Sequence, residues 1–261
     1  MLQFGFDHRI RTLIVLGRSR WLLGRADDAL RVAADTLRDG QLVGQPTTVA
    51  IALIYTFSVY IWSGELDTAA SVAEQLRRHA EKHSLGPYRA VARAQEGEVL
   101  IKRGEASGVD VLREATASLE AGRHLLLQTT FYSALAEGLA NTGRFADAVV
   151  AVDTALAQTA RNQGESFDSP ELMRIKAEVL LRCPDANEAE AERLLLVAID
   201  TARRQGSLSW ELRAATTTSR LWRRQGKTQA ARALLETTCG KFTQGFKTTD
   251  LVEARRLLDE L

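Results

Sequence analysis

Apolar residues along this chain come in blocks at helical spacing, separated by short polar breaks. In the first block, Ile10, Leu13, Ile14, Leu16 and Trp21 recur at helical spacing. The pattern stops at Gly24 and Arg25, and resumes at Ala29, Leu30 and Ala33. The same stop and restart recurs as GRADDAL (Gly24–Leu30), GELDTAA (Gly64–Ala70), GEASGVD (Gly104–Asp110), GRFADAV (Gly143–Val149), PDANEAEAERL (Pro184–Leu194) and GKTQAAR (Gly226–Arg232). The small residue opening each second helix is Ala29, Ala69, Gly108, Ala148, Ala191 or Ala231, at steps of 40, 39, 40, 43 and 40 residues. A fixed period of this length is the mark of a helical repeat array. The longer step comes from the turn around Pro184.

Each unit therefore reads as a first helix, a tight turn, a second helix and a loop. The second helices carry Ala29/Ala33/Thr36, Ala69/Ala73/Leu76, Gly108/Leu112/Ala115, Ala148/Val152/Ala155, Ala191/Leu195/Ala198 and Ala231/Leu235/Thr238 at i, i+4 and i+7, on one face. A small first residue lets the two helices approach closely. Leu or Phe at Ala29 or Ala148 is expected to overpack that seam, at a cost of roughly 1–3 kcal/mol in a denaturation experiment. The second helices close at RDGQLVG, EKHSLGP, EAGRHLL, RNQGESF, RRQGSLS and FTQGFKT, where glycine tolerates the left-handed conformation of a helix end. KTTDLVEARRLLDEL, from Lys247, predicts a lone thirteenth helix capped by Thr249 or Asp250. One pair cannot bury its apolar face, but stacked pairs can. The expectation is an all-α, right-handed superhelical solenoid of six antiparallel helix pairs in one domain over 1–261. Its units span 6–43, 44–85, 86–122, 123–165, 166–206 and 207–245, with a capping helix at 247–261.

The turn G-[RE]-x-x-[DE]-A followed by small residues resembles the tetratricopeptide repeat, with lengthened helices. FGFDHRIRTLIVLGRSRWLLGRADDALRVA (Phe4–Ala33), SPELMRIKAEVLLRCPDANEAEAERLLLVAIDTARRQGSLSWELRAATTTSRLWRRQG (Ser169–Gly226) and DLVEARRLLDEL (Asp250–Leu261) are similar to the carboxy-terminal repeat region of large bacterial signalling ATPases and transcriptional regulators, some linked to nucleotide cyclases. The resemblance implies the sensor or adaptor part of such a regulator, as an excised domain or a stand-alone relative. The chain has no GxxxxGK[ST], no winged helix and no cyclase signature. ATP binding, DNA binding and catalysis are therefore not carried over.

Composition adds little to this. Only four prolines and 6% aromatics among 45% hydrophobic residues suit helices. The apolar run VAIALIY is far shorter than the ~20 residues that span a bilayer, and two distant cysteines outside a CxxC suit a reducing, cytoplasmic setting. No membrane partner, cofactor or metal is expected. His79 and His83 are spaced to share a metal, but no third ligand is evident and HAEKH is not HExxH. Asp7 reads as an N-cap, Cys183 and Cys239 as structural thiols. Trp21, Trp62, Trp210 and Trp222 read as wedges between helices. No nucleophile–base set emerges, so no enzyme is expected.

Charge does change the picture. The net charge is +1, yet Arg203–Arg256 holds 12 Lys/Arg against four Asp/Glu. In tetratricopeptide-like stacks the first helices line a groove. Superposing the units on their turns gives Arg11, Arg18, Ser58, Trp62, Glu98, Lys102, Glu137, Asn141, Lys176, Arg213, Arg220 and Arg224 as groove candidates, running from mixed charge to basic. Such a trough suits an acidic protein or peptide segment held by Arg–carboxylate bonds. The expected function is non-catalytic partner binding. The alternatives are a small-ligand effector sensor and, more remotely, nucleic-acid binding through the basic end, which lacks an aromatic stacking ladder. Self-association through Ile10–Trp21 of the first helix pair is a further expectation.

Overall fold

The structure is a computed structural model and describes residues 7–124, 127–161 and 166–261. Among them the regular structure is helical throughout. The helices are α1 (His8–Leu22), α2 (Ala26–Val43), α3 (Pro46–Ser63), α4 (Leu66–Lys82), α5 (Gly86–Lys102), α6 (Ser107–Ala121), α7 (Gln128–Asn141), α8 (Phe145–Arg161), α9 (Ser169–Arg182), α10 (Glu188–Gln205), α11 (Leu208–Arg224), α12 (Thr228–Cys239) and α13 (Thr249–Glu260). They form two compact units. The first comprises residues 1–21 and 26–127, the second 22–25 and 128–261.

Within each unit, helices adjacent in sequence pack against one another, and first helices of successive pairs also touch, as α3 does α5 and α9 does both α7 and α11. All eighteen small-and-medium positions read from the second helices are buried, from Ala29 and Ala148 at 0% exposure to Ala73 at 4%. The seam is thus built on Ala and Gly at its entrance and on Leu, Val or Thr further along. Leu16 departs from its expected core role: at 38% it is exposed, while Ile10, Ile14 and Trp21 of the same helix are buried.

Helix ends follow local chemistry. Asp7 Oδ1 accepts from the backbone N–H of Arg9 (2.7 Å) and Ile10 (3.2 Å), the capping expected of it. Gly64 ends α3 at φ +82°, and its N–H donates back to the Ile61 carbonyl. Two loop closures differ from expectation. In EKHSLGP the left-handed residue is Ser84 (φ +55°), and in EAGRHLL it is Arg123 (φ +55°), one step beyond Gly122. RNQGESF falls largely on 162–165, outside the described residues. Neither Thr249 nor Asp250 caps α13. The helix begins at Thr249, the preceding Thr248 hydroxyl donates to the Gly245 carbonyl (2.7 Å), and the Asp250 carboxylate receives Arg213 instead.

VAIALIY lies inside α3, an 18-residue helix long and apolar enough by composition to cross a membrane. Of its residues 72% are buried, with Leu53, Ile54, Phe57 and Ile61 inside the first unit, where α3 is flanked by α2, α4 and α5. An apolar helix with neighbours on several sides is what a core helix looks like.

Candidate functional site

In the first unit the first helices α1, α3 and α5 carry a face of arginine and aromatic side chains. Arg11 and Arg18 lie seven residues apart on α1, Tyr55 and Trp62 seven apart on α3, and Gln95 and Lys102 seven apart on α5, a spacing that keeps each pair on one helical face. The Arg18 guanidinium sits 5.7 Å from the Tyr55 ring centre and 5.3 Å from that of Trp62, within cation–π range. Trp62 is in turn tilted against Trp21 at 4.9 Å. Tyr55 is half-buried. Burial pushes its phenol up, the Arg18 and Arg11 charges pull it down, and Tyr88 adds to the rise. Gln95 is fully buried and donates from Nε2 to the Ile54 carbonyl (2.9 Å), tying α5 to α3.

Of the first-unit groove candidates, Arg11 and Lys102 are exposed and Arg18 is half-buried. Ser58, Trp62 and Glu98 are buried, as parts of the packing beneath that face. Tyr55, under the Arg18 guanidinium, belongs to the face and was not among the candidates. The signal was present for Tyr55, which precedes Trp62 by seven residues. Trp21, Trp62 and Trp210 are the buried wedges expected, and Trp222 donates from Nε1 to Glu192 Oε1 at 2.6 Å. Within Ile10–Trp21, the exposed apolar side chains are Val15 and Leu16.

The second unit carries a ladder of alternating charge across α7, α9, α11 and α13. Arg174, 8% exposed, donates from Nε to Glu171 Oε2 (2.7 Å), pairs through Nη1 with Glu178 (2.7 Å) and reaches Glu137 through Nη2 (3.4 Å). Arg213 bridges Glu171 (2.8 Å) and Asp250 (2.8 Å), with Trp210 beneath its guanidinium at 5.0 Å. Thr217 donates to Glu178 (3.1 Å). Burial opposes the charge on Glu178, but Arg174 and the hydrogen bonds from Arg174 and Thr217 outweigh it and hold the carboxyl below its ordinary range. For Arg213 burial likewise opposes the charge, and Asp250 and Glu171 prevail.

This ladder bears on the expected basic trough. Arg213 is largely buried and bound to two carboxylates, Arg220 pairs with Glu253, and Arg224 reaches Glu188 on α10 at 3.6 Å. Lys176 turns to Asp153 on α8 (2.7 Å), and Asn141 accepts from Arg182 Nη1 (2.8 Å). The surplus of positive charge in Arg203–Arg256 is met by carboxylates from outside it, including Glu171, Glu188, Glu192, Asp200 and Glu260. Sequence reasoning missed Arg174, Glu171 and Glu178, although their i, i+3 and i, i+4 spacing is that of helical ion pairs.

His79 Nε2 lies 2.8 Å from the Pro46 carbonyl oxygen, and the two histidine rings are 4.5 Å apart. Burial, His79 and Lys82 lower the His83 pKa. Among the described residues no group of three or more His, Cys, Asp or Glu side chains is placed to hold a metal ion. The Cys183 thiol donates to the Val179 carbonyl (3.3 Å), and burial pushes the Cys239 thiol up, away from the reactive thiolate.

No family model and no curated protein matches the sequence. Among solved structures, the crystal structure of the apo form of RapI is similar to this chain over 97% of its length and 85% of the other, with a TM-score of 0.62 and 11% sequence identity. At that identity the likeness concerns the fold: this chain has an all-α helical-repeat fold in which consecutive helices pack in pairs.

Proposed function

We propose that this chain is a non-catalytic scaffold that holds an acidic segment of a protein partner on the face of α1, α3 and α5. The observation that carries this reading is the position of Arg11. It is exposed, on the same face of α1 as Arg18, whose guanidinium is already stacked on Tyr55 and Trp62, and it meets no carboxylate among the described residues. Lys102 adds an exposed cation on α5. Arginine over aromatic rings presents its N–H edge in a fixed plane, which favours carboxylates. Arg220 and Arg224 belong to the same proposal in the second unit: surface pairs contribute only about 0–1 kcal/mol, so an incoming carboxylate can exchange with Glu253 or Glu188. The likeness of the sequence to the repeat regions of bacterial signalling ATPases supports a sensor or adaptor role in signalling or transcription regulation.

A peptide array tests this reading. Peptides rich in Asp and Glu are expected to be retained, with affinity falling as salt rises, while basic and neutral sets are not. R11E/K102E changes only exposed residues, so the fold is expected to persist by circular dichroism while acidic-peptide retention drops at least tenfold. Retention unaffected by the double variant, or equal retention of basic peptides, overturns it.

A further inference from the structure

The repeat supplies its own comparison for a cavity between α4 and α5. These helices correspond to α10 and α11 at a constant offset, Leu66 with Glu188 and Gly86 with Leu208. In α10–α11 the seam is filled. Leu195 is fully buried, and the Trp222 indole reaches from α11 to α10 with its N–H donated to Glu192. The corresponding residues in α4–α5 are Ala73, Leu100 and Ala70, each smaller. The equivalent seam of α2–α3 also has an alanine, Ala33, but the position of Leu100 is there taken by the larger Tyr60, 6% exposed. The α4–α5 seam is small on both sides, and there the structure has a cavity of about 250 Å³, open to solvent.

Its chemistry is as particular as its shape. The alanines 70, 73 and 92 contribute apolar surface, and Arg77, Glu96 and Arg103 also line the cavity. Arg103 is held by Asp67 (2.6 Å), and Arg77 by Glu74 and Glu81 (2.7 Å each). Guanidinium groups beside an apolar floor favour the face of an aromatic ring. Glu96 has acceptor capacity beyond its bond from Arg93. The volume falls below the ~300–1,000 Å³ of pockets for drug-sized ligands, and so suits a single side chain.

We propose that the α4–α5 cavity receives the indole side chain of a tryptophan from a partner protein, ring against the alanine floor and N–H to Glu96, in the manner of Trp222 in α10–α11. The proposal rests on the reading of this chain as a protein-binding scaffold, but uses a different site from the Arg11 face.

Methyl NMR of the full chain, titrated with N-acetyl-tryptophanamide, tests it. Saturable shifts are expected at the methyls of Ala70, Ala73, Ala92, Val99 and Leu100, with at least fivefold weaker response to N-acetyl-leucinamide. Ala73→Leu restores the residue type that Leu112, Leu195 and Leu235 provide in other copies, and Leu100→Trp restores the indole. Each is expected to keep the melting temperature at or above the parent value and to weaken the ligand response at least tenfold. R11E/K102E is expected to leave the response unchanged, so this site and the acidic-peptide face fail or survive separately. No saturable shift, a response equal for leucinamide, or one unaltered in folded Ala73→Leu protein overturns the proposal.

Discussion

Replacing Arg174 with methionine is expected to lower stability by about 3–5 kcal/mol in urea unfolding at neutral pH, the cost of leaving buried charges without their partner. The guanidinium is 8% exposed and stands among three carboxylates, Glu137, Glu171 and Glu178, of which Glu171 is equally buried. Without it, Glu171 still faces Arg213, and Glu178 loses its guanidinium and keeps the Thr217 hydroxyl. The sign of the pH response should change with it. In the parent protein the Glu178 carboxyl is held below its ordinary value, so its contribution is present above the unfolded pKa of about 4.3 and is lost as pH falls through the folded one. In the variant, burial of the Glu178 carboxyl is no longer opposed by Arg174, so its pKa shifts upward and stability is gained as pH falls from 7 towards 5. R174M/E171M removes an acid together with the base and is expected to recover part of the loss. A variant as stable as the parent, with an unchanged pH profile, would show the ladder to be energetically idle.

The fold was legible because its signal is repeated. One break between a helix end and a small residue says little, but six at a near-constant period specify where each helix pair begins and which residues meet. That is why all the second-helix seam positions proved buried. The binding faces were less legible, for two physical reasons. Superposing turns tells which helix a residue is on and its approximate height, not whether it points outward, so Ser58 and Glu98 were read as surface although they are buried beneath it. Charge counted along the chain also misses charge supplied across it. The basic tract of α11 and α12 looks unbalanced in sequence because its carboxylates lie one repeat away, on α9, α10 and α13. The ladder residues Arg174 and Glu171 had a local signal in their i, i+3 spacing. Their burial, which gives them energetic weight, depends on α7 and α11.

The close approach of α5 and α6 leads to the second large effect. Gly108 was expected as the small seam residue of its unit, but its counterpart Gly97 was not. A Cβ on Gly97 would stand 2.8 Å from the Leu112 backbone nitrogen and 3.1 Å from the Gly108 carbonyl oxygen; one on Gly108 would stand 2.8 Å from the Gly97 carbonyl oxygen and the Ile101 nitrogen. These are backbone atoms of a facing helix, which no rotamer change can move aside. In an exposed helix interior Gly→Ala gains about 1 kcal/mol of helix propensity. Here the two helices must separate, and overpacking of this kind costs roughly 1–3 kcal/mol. Gly97→Ala and Gly108→Ala are therefore each expected to be destabilising overall, by up to about 2 kcal/mol after the propensity gain is deducted. Gly17 on α1 is the control, since a Cβ there would meet Val32 Cγ1 at 3.4 Å and the Ala29 carbonyl oxygen at 3.7 Å, ordinary contact distances. Gly17→Ala is expected to be neutral or stabilising by up to about 1 kcal/mol. The same substitution should thus carry opposite signs on α5 and α1 in thermal unfolding. Stabilisation at Gly97 would mean that the helices are not held as close as the glycine pair allows.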